Sequence, residues 1–188
     1  MKKYVNIALS LTAAIYTCWY MHFGIPYKNS GALSTIGLEH KGLFVLWGIL
    51  TFTALAYSIS IAYKRYTNTK AYIPLLAVAG IGMGLTLGFD FDYDIKPDYY
   101  LHCGGSLLFS AVMGVTIFLL FLLCYNKGRI FRAFAYITGG ILTADIILLL
   151  IYKETGLIEA VPIISGYIML GIVNCIKEKR NEPTLQTK

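Results

Sequence analysis

Uncharged runs of about twenty residues alternate along this chain with short segments that hold nearly all of its charge. An apolar run crosses a hydrocarbon core of about 30 Å when it has about 17 to 25 residues in helical form. Six runs qualify, near 4–27, 42–63, 71–89, 99–126, 133–152 and 160–176, and they predict six helices with no strand between them. The expected fold is therefore an all-α integral membrane protein: a six-transmembrane-helix bundle over 1–176, followed by a polar tail over 177–188. No second domain is visible, because the longest outer connection, about 26–41, is too short to fold alone.

Charge placement orients the bundle. Placing the N-terminus in the cytoplasm puts twelve of the sixteen Lys and Arg residues on inner segments and four (Lys28, Lys41, Lys96 and Lys153) on outer ones. Short cytoplasmic loops collect basic residues in this way, so both termini are expected to be cytoplasmic. Tyr20, Tyr27, Tyr63, Tyr66, Tyr99, Tyr100, Tyr125 and Tyr152 stand near the expected boundaries with Trp19, as an interfacial aromatic belt. Pro74 and Pro162 are expected in first helical turns, and Pro26 and Pro97 in outer loops.

Composition supports this reading: 57% of residues are hydrophobic, 14% are charged and the mean hydropathy is +0.64. The net charge of +6 is scattered in twos and threes between apolar runs, which argues against nucleic-acid binding. Cys18, Cys103, Cys124 and Cys175 stand singly and read as small buried hydrophobes; Cys18 and Cys103 share the outer half, within reach of a pairing. The first run continues past any signal-cleavage position near Ala14, so it is expected to be a retained helix.

Small residues recur every fourth position on two neighbouring segments, Gly80, Gly84 and Gly88 on the third and Ser106, Ser110 and Gly114 on the fourth. Helices in lipid associate through such close-packing stripes. The two segments are therefore expected to meet along these stripes, unless the stripe of the third serves a membrane-protein partner instead.

Once oriented, the polar residues gather on the outer side. His22, His40 and His102 lie there, with Glu39, Asp90, Asp92, Asp94, Asp98, Glu154 and Glu159. Asp98, His102 and Ser106 follow one another at helical spacing. Asp145 sits within the fifth segment, seven residues before Tyr152 and so roughly 10 Å inside the outer boundary. A carboxylate at that depth costs about 2.5 to 3.5 kcal/mol on insertion and marks a functional position. The expected site is a polar pocket open to the outer leaflet, with His102, Asp98 and Asp145 at its centre, Ser106 below and His40 at the rim. Its occupant would be a membrane lipid or a small amphiphile.

Two other chemistries fit the same residues. His102, His40, His22 and Asp98 are the residue types that hold zinc, and zinc with an open position would activate water for hydrolysis of a lipid ester or amide. A six-span chain with little outside the membrane also suits the membrane subunit of a small-molecule transporter. Asp90, Asp92 and Asp94 open like a calcium loop, but Ile95 and Leu101 stand where such a loop needs glycine and glutamate.

Leu33-Ser-Thr-Ile-Gly37 before the second segment, and Leu101-His-Cys-Gly-Gly-Ser-Leu-Leu-Phe109 opening the fourth, resemble motifs of the DRAM/Sfk-type superfamily of six-span membrane proteins. The resemblance implies six spans, cytoplasmic ends and an association with membrane lipids, and it singles out Ser34, Gly37, His102, Gly105, Phe109 and Glu159. It implies no catalytic machinery. The chain is also similar to ceramidase-like zinc hydrolases at His40 and Asp90 or Asp92, but the His-x-x-x-His of their last helix has no counterpart here.

Overall fold

The computed structural model describes residues 2–176; the expected polar tail lies outside the described residues. All regular secondary structure within them is helical: α1 (Lys2–Tyr20), α2 (Leu33–Glu39), α3 (Lys41–Tyr66), α4 (Tyr72–Gly88), α5 (Lys96–Leu123), α6 (Arg129–Tyr152) and α7 (Gly156–Cys175), with three single 3-10 turns between. The six expected segments fall on α1 and α3 to α7. Four of these helices, α3, α5, α6 and α7, are long and apolar enough to cross a membrane, and they mark the chain as an integral membrane protein. The helix α4 has 17 residues, and α1 is diluted by two lysines and by Asn6, Ser10, Thr12 and Thr17.

Three features depart from expectation at the end of the bundle that holds residues 26–41. The connection 26–41 contains a helix of its own, α2, which buries Leu33, Ser34, Ile36 and Gly37. It is held by neighbours rather than by its own core: Tyr20 donates its hydroxyl to Leu33 O at 3.1 Å, and Leu157 N donates to Pro26 O at 3.0 Å. Gly31 and Gly156 are obligatory here, because a Cβ on Gly31 would run into the Ile25 backbone and one on Gly156 into the Gly31 carbonyl. Pro162, expected in a first turn, lies inside α7, because Thr155 caps the helix early by accepting from Ile158 N at 3.3 Å. Its missing N–H leaves the Ile158 carbonyl without the usual i+4 donor. Pro97, expected in a loop, falls in the first turn of α5.

The helices α4 and α5 pack most closely, but not along the expected stripes. A Cβ on Gly82 would come within 2.7 Å of Phe109 N and 2.8 Å of Gly105 O, and one on Gly105 within 2.7 Å of Gly82 O. Backbone meets backbone there. Gly84 and Gly88 have no neighbouring atom within 4 Å of that position, Gly80 faces Phe52 of α3, and Gly114 faces Leu142 of α6. The reason is angular: two residues along a helix rotate by about 200°, so Gly82 lies nearly opposite Gly80 and Gly84. Ser110, the other expected packing residue, is exposed on the α5 surface and borders the cleft described below.

Elsewhere α3 is central, touching α1, α2, α4, α5 and α7. Leu55, Ile59 and Ala62 of α3 are buried with Leu120 and Phe121 of α5 and Leu170 and Val173 of α7. The helix α6 is attached mainly by its first half: its buried residues are Phe131, Phe134, Ala135 and Thr138, all within its first ten positions. Its second half, with Leu150 81% exposed, leaves a cleft against α5 and α7. All four cysteines are free; only Cys124 is buried, Cys103 and Cys175 are half-buried and Cys18 is exposed, so the expectation of four buried thiols holds for one.

Candidate functional site

The cleft has a volume of about 120 Å³ and opens between α5, α6 and the start of α7. Cys103, Ser106 and Ser110 face it from α5, Asp145 from α6, Glu154 from the α6–α7 turn and Glu159 from the first turn of α7. Three carboxyl groups and no Lys, Arg or His line it. The one ion pair among the described residues is elsewhere, Lys41 to Asp90 at 2.7 Å, so none of the three acids has a cationic partner. The remaining wall is apolar, and it includes Leu107, 61% exposed on the outside of the bundle, so the cleft borders the lipid-facing surface.

Glu159 joins the cleft to the interior. One carboxylate oxygen accepts from Leu33 N at 2.5 Å and the other from the Ser34 hydroxyl at 3.2 Å. Leu33 is the first residue of α2, where backbone N–H groups have no partner inside the helix, so the acid both ends that helix and fixes it against α7. Ser34 and Glu159 then line a smaller void of about 20 Å³ with Trp47, Thr86, Ser106 and Phe109. Ser106, Phe109, Ser110, Glu159 and Ile163 border both spaces, which makes them neighbours. Glu154, in the turn between α6 and α7, has its carboxyl raised above the ordinary carboxylate range by burial.

The expected residues divide over this geometry. Asp145 and Ser106 meet at the cleft. His102 is buried, 2% exposed, but it faces α4, where its Nδ1 lies 2.9 Å from Phe89 O and its ring lies near Phe44 and Phe91. Residues 102 and 105 of α5 turn toward α4, whereas 103, 106, 107, 110 and 114 turn toward α6 and the cleft; Phe109 lies between, its backbone against Gly82 and its side chain bordering the cleft. The drift of the i, i+4 stripe thus separates His102 from Asp145, and the expected pocket centred on both is corrected to the α5–α6–α7 cleft. Asp98 is half-buried in the first turn of α5, and the imidazole bonds Phe89 O rather than this carboxylate. His40 rests on the ring of Phe23 at 4.9 Å between centroids, and His22 is exposed on the 3-10 turn after α1. No three His, Cys, Asp or Glu side chains among the described residues are grouped to hold a metal, so the zinc set of His102, His40, His22 and Asp98 is not assembled.

Sequence reasoning placed Glu154 on the outer side without assigning it to the pocket, and it reached Glu159 through the resemblance rather than through burial. The available signal was local: an acid one turn into an apolar helix, five residues from another acid, both close in sequence to Asp145.

The six positions singled out by the resemblance lie close to one another. Ser34, Phe109 and Glu159 line the smaller void; Ser34, Gly37 and His102 line a further space of about 10 Å³ beside Asp90; and Gly105 sits in the α4–α5 seam between them. What this arrangement can do chemically is accept hydrogen bonds and offset positive charge at the edge of the lipid phase. Comparison of the chain with protein-family models, with curated proteins and with solved structures finds no match.

Proposed function

We propose that this chain is a six-span membrane protein with cytoplasmic termini that takes an amphiphile from the outer leaflet into the α5–α6–α7 cleft. The headgroup sits among Asp145, Glu154 and Glu159, and the tail follows the aliphatic wall toward Leu107 and Leu149. One observation carries the reading: Asp145, in the middle of an apolar helix, faces a cavity shared with two further acids and has no basic partner. An intramembrane acid is costly, and without a partner in the protein it calls for a partner that arrives. The absence of basic lining residues favours a headgroup that donates hydrogen bonds or carries an amine. The likeness to DRAM/Sfk-type proteins supports the same reading, since three of the positions it marks, Ser34, Phe109 and Glu159, line the void that adjoins the cleft.

The test is native mass spectrometry of the protein released from nanodiscs loaded with long-chain amine, neutral and anionic amphiphiles of equal chain length. Wild type is expected to retain one amphiphile through desolvation, and Asp145→Asn to lose most of it while keeping its helix content. Release of bare protein under every loading contradicts the proposal.

A further inference from the structure

Away from the cleft, α1, α3 and α7 meet along a seam that carries polar side chains in two layers. Thr17, Thr51 and Tyr167 form one; Ser10, Ser58 and Asn174 form the other, each seven residues along its own helix from its counterpart. Two turns bring the same helical face round again, so three separate helices place hydrogen-bonding groups at the same two depths. All six residues are 5% exposed or less.

The lower layer is almost, but not fully, satisfied within the protein. Ser58 donates its hydroxyl to Asn6 Oδ1 at 2.6 Å, Ser10 and Ser58 hydroxyls lie 3.2 Å apart, and Asn174 Nδ2 donates to Ser58 O at 3.0 Å. Two atoms are left over, the donor Asn6 Nδ2 and the acceptor Asn174 Oδ1, on side chains 1% and 3% exposed. Turning the Asn6 amide over only exchanges which of its atoms is left. In the upper layer Thr51 Oγ1 and Tyr167 OH are also unpartnered; the Tyr167 hydroxyl faces Thr51 and Thr17 without reaching hydrogen-bond geometry with either. Four of the five buried side-chain atoms without a partner among the described residues therefore belong to this one seam, which makes the deficit a property of the place.

We propose that the seam is a bound-water site, with a water in the lower layer accepting from Asn6 Nδ2 and donating to Asn174 Oδ1. Both amides bond Ser58, and a leftover donor and a leftover acceptor on two such side chains are groups that a water satisfies; buried waters occupy such positions when two to four polar partners surround them. Lipid supplies no alternative partner. A cation fits less well: the groups are neutral, one of the leftover atoms is a donor, and the Arg65 guanidinium closes the same end by donating to the carbonyls of Asn174 and Ile176. The proposal is independent of the cleft and of what the cleft holds.

Solid-state NMR of the full chain in bilayers tests it, with uniform ¹⁵N labelling and magnetisation started on water. The Asn6 and Asn174 side-chain amides are expected to build up intensity nearly as fast as the exposed Asn29, and several-fold faster than the backbone amides of Leu55 and Ile59 in the dry core. Asn6→Leu and Asn174→Leu should each slow transfer to the remaining partner; sequential labelling of wild type assigns the signals even where a variant fails to fold. Build-up no faster than that of Leu55 overturns the proposal, as does a direct Asn6–Asn174 amide pair that receives nothing from water.

Discussion

Glu159 holds α2 with both carboxylate oxygens while bordering the cleft, so structure and the proposed binding converge on one side chain. Removing it strands a buried N–H and a hydroxyl, which costs about 1 to 3 kcal/mol. Glu159→Ala is therefore expected to lower the unfolding midpoint in detergent, whereas Glu159→Gln, which keeps one acceptor oxygen, should lose less; equal losses would contradict the assigned bonds. Glu154 gives a pH dependence. Burial raises its carboxyl above the ordinary range, so its contribution to stability is complete below the unfolded-state value and fades as pH rises through the shifted one. The empty protein is expected to lose thermal stability across that interval, and Glu154→Gln to flatten the profile. Binding of an amine amphiphile should run the other way, strengthening as the carboxyl ionises. At this scale the sequence was legible for residues whose cost is intrinsic, as with Asp145, whose burial in lipid needs explanation wherever it points. It was not legible for His102, because four-residue spacing gives adjacency along a surface and not the neighbour that the surface faces.

The same limit shows in the helices. Gly80, Gly84 and Gly88 form a stripe that the sequence displays clearly, yet the α4–α5 seam runs through Gly82 and Gly105, which belong to no evident repeat. Spacing shows where backbones are able to approach; the partner's position decides where they do. The two faces predict opposite outcomes. Gly82→Leu or Gly105→Leu drives a side chain into facing backbone and should destabilise by at least about 1 to 3 kcal/mol. Gly84→Ala and Gly88→Ala meet open space and should be neutral or stabilise by about 0.5 to 1 kcal/mol, as glycine-to-alanine changes do inside helices. Unfolding of the four variants in detergent decides it; equal effects would mean that the seam is misplaced. The helix α2 escaped the sequence reading for a related reason: seven residues have too little apolar surface to announce a helix, and what holds this one comes from Tyr20 and Glu159.

For the whole molecule, the helical class and the four helices long and apolar enough to cross a membrane could be read directly, because a bilayer imposes length and hydrophobicity on anything that crosses it. The cleft could not be read, since it follows from how the second half of α6 lies against α5 and α7, while the buried contacts of α6 fall in its first half. Its three carboxyl groups and its opening beside Leu107 support the proposal that it holds an amphiphile. The most direct measurement is photo-crosslinking in proteoliposomes with a long-chain amine that carries a diazirine in its tail, followed by peptide mapping. The account predicts saturable labelling confined to the α5, α6 and α7 residues around Leu107, Leu142 and Leu149, competed by unlabelled amine and lost in Asp145→Asn. Labelling that never saturates and spreads evenly over the lipid-facing surfaces of all the helices would contradict it.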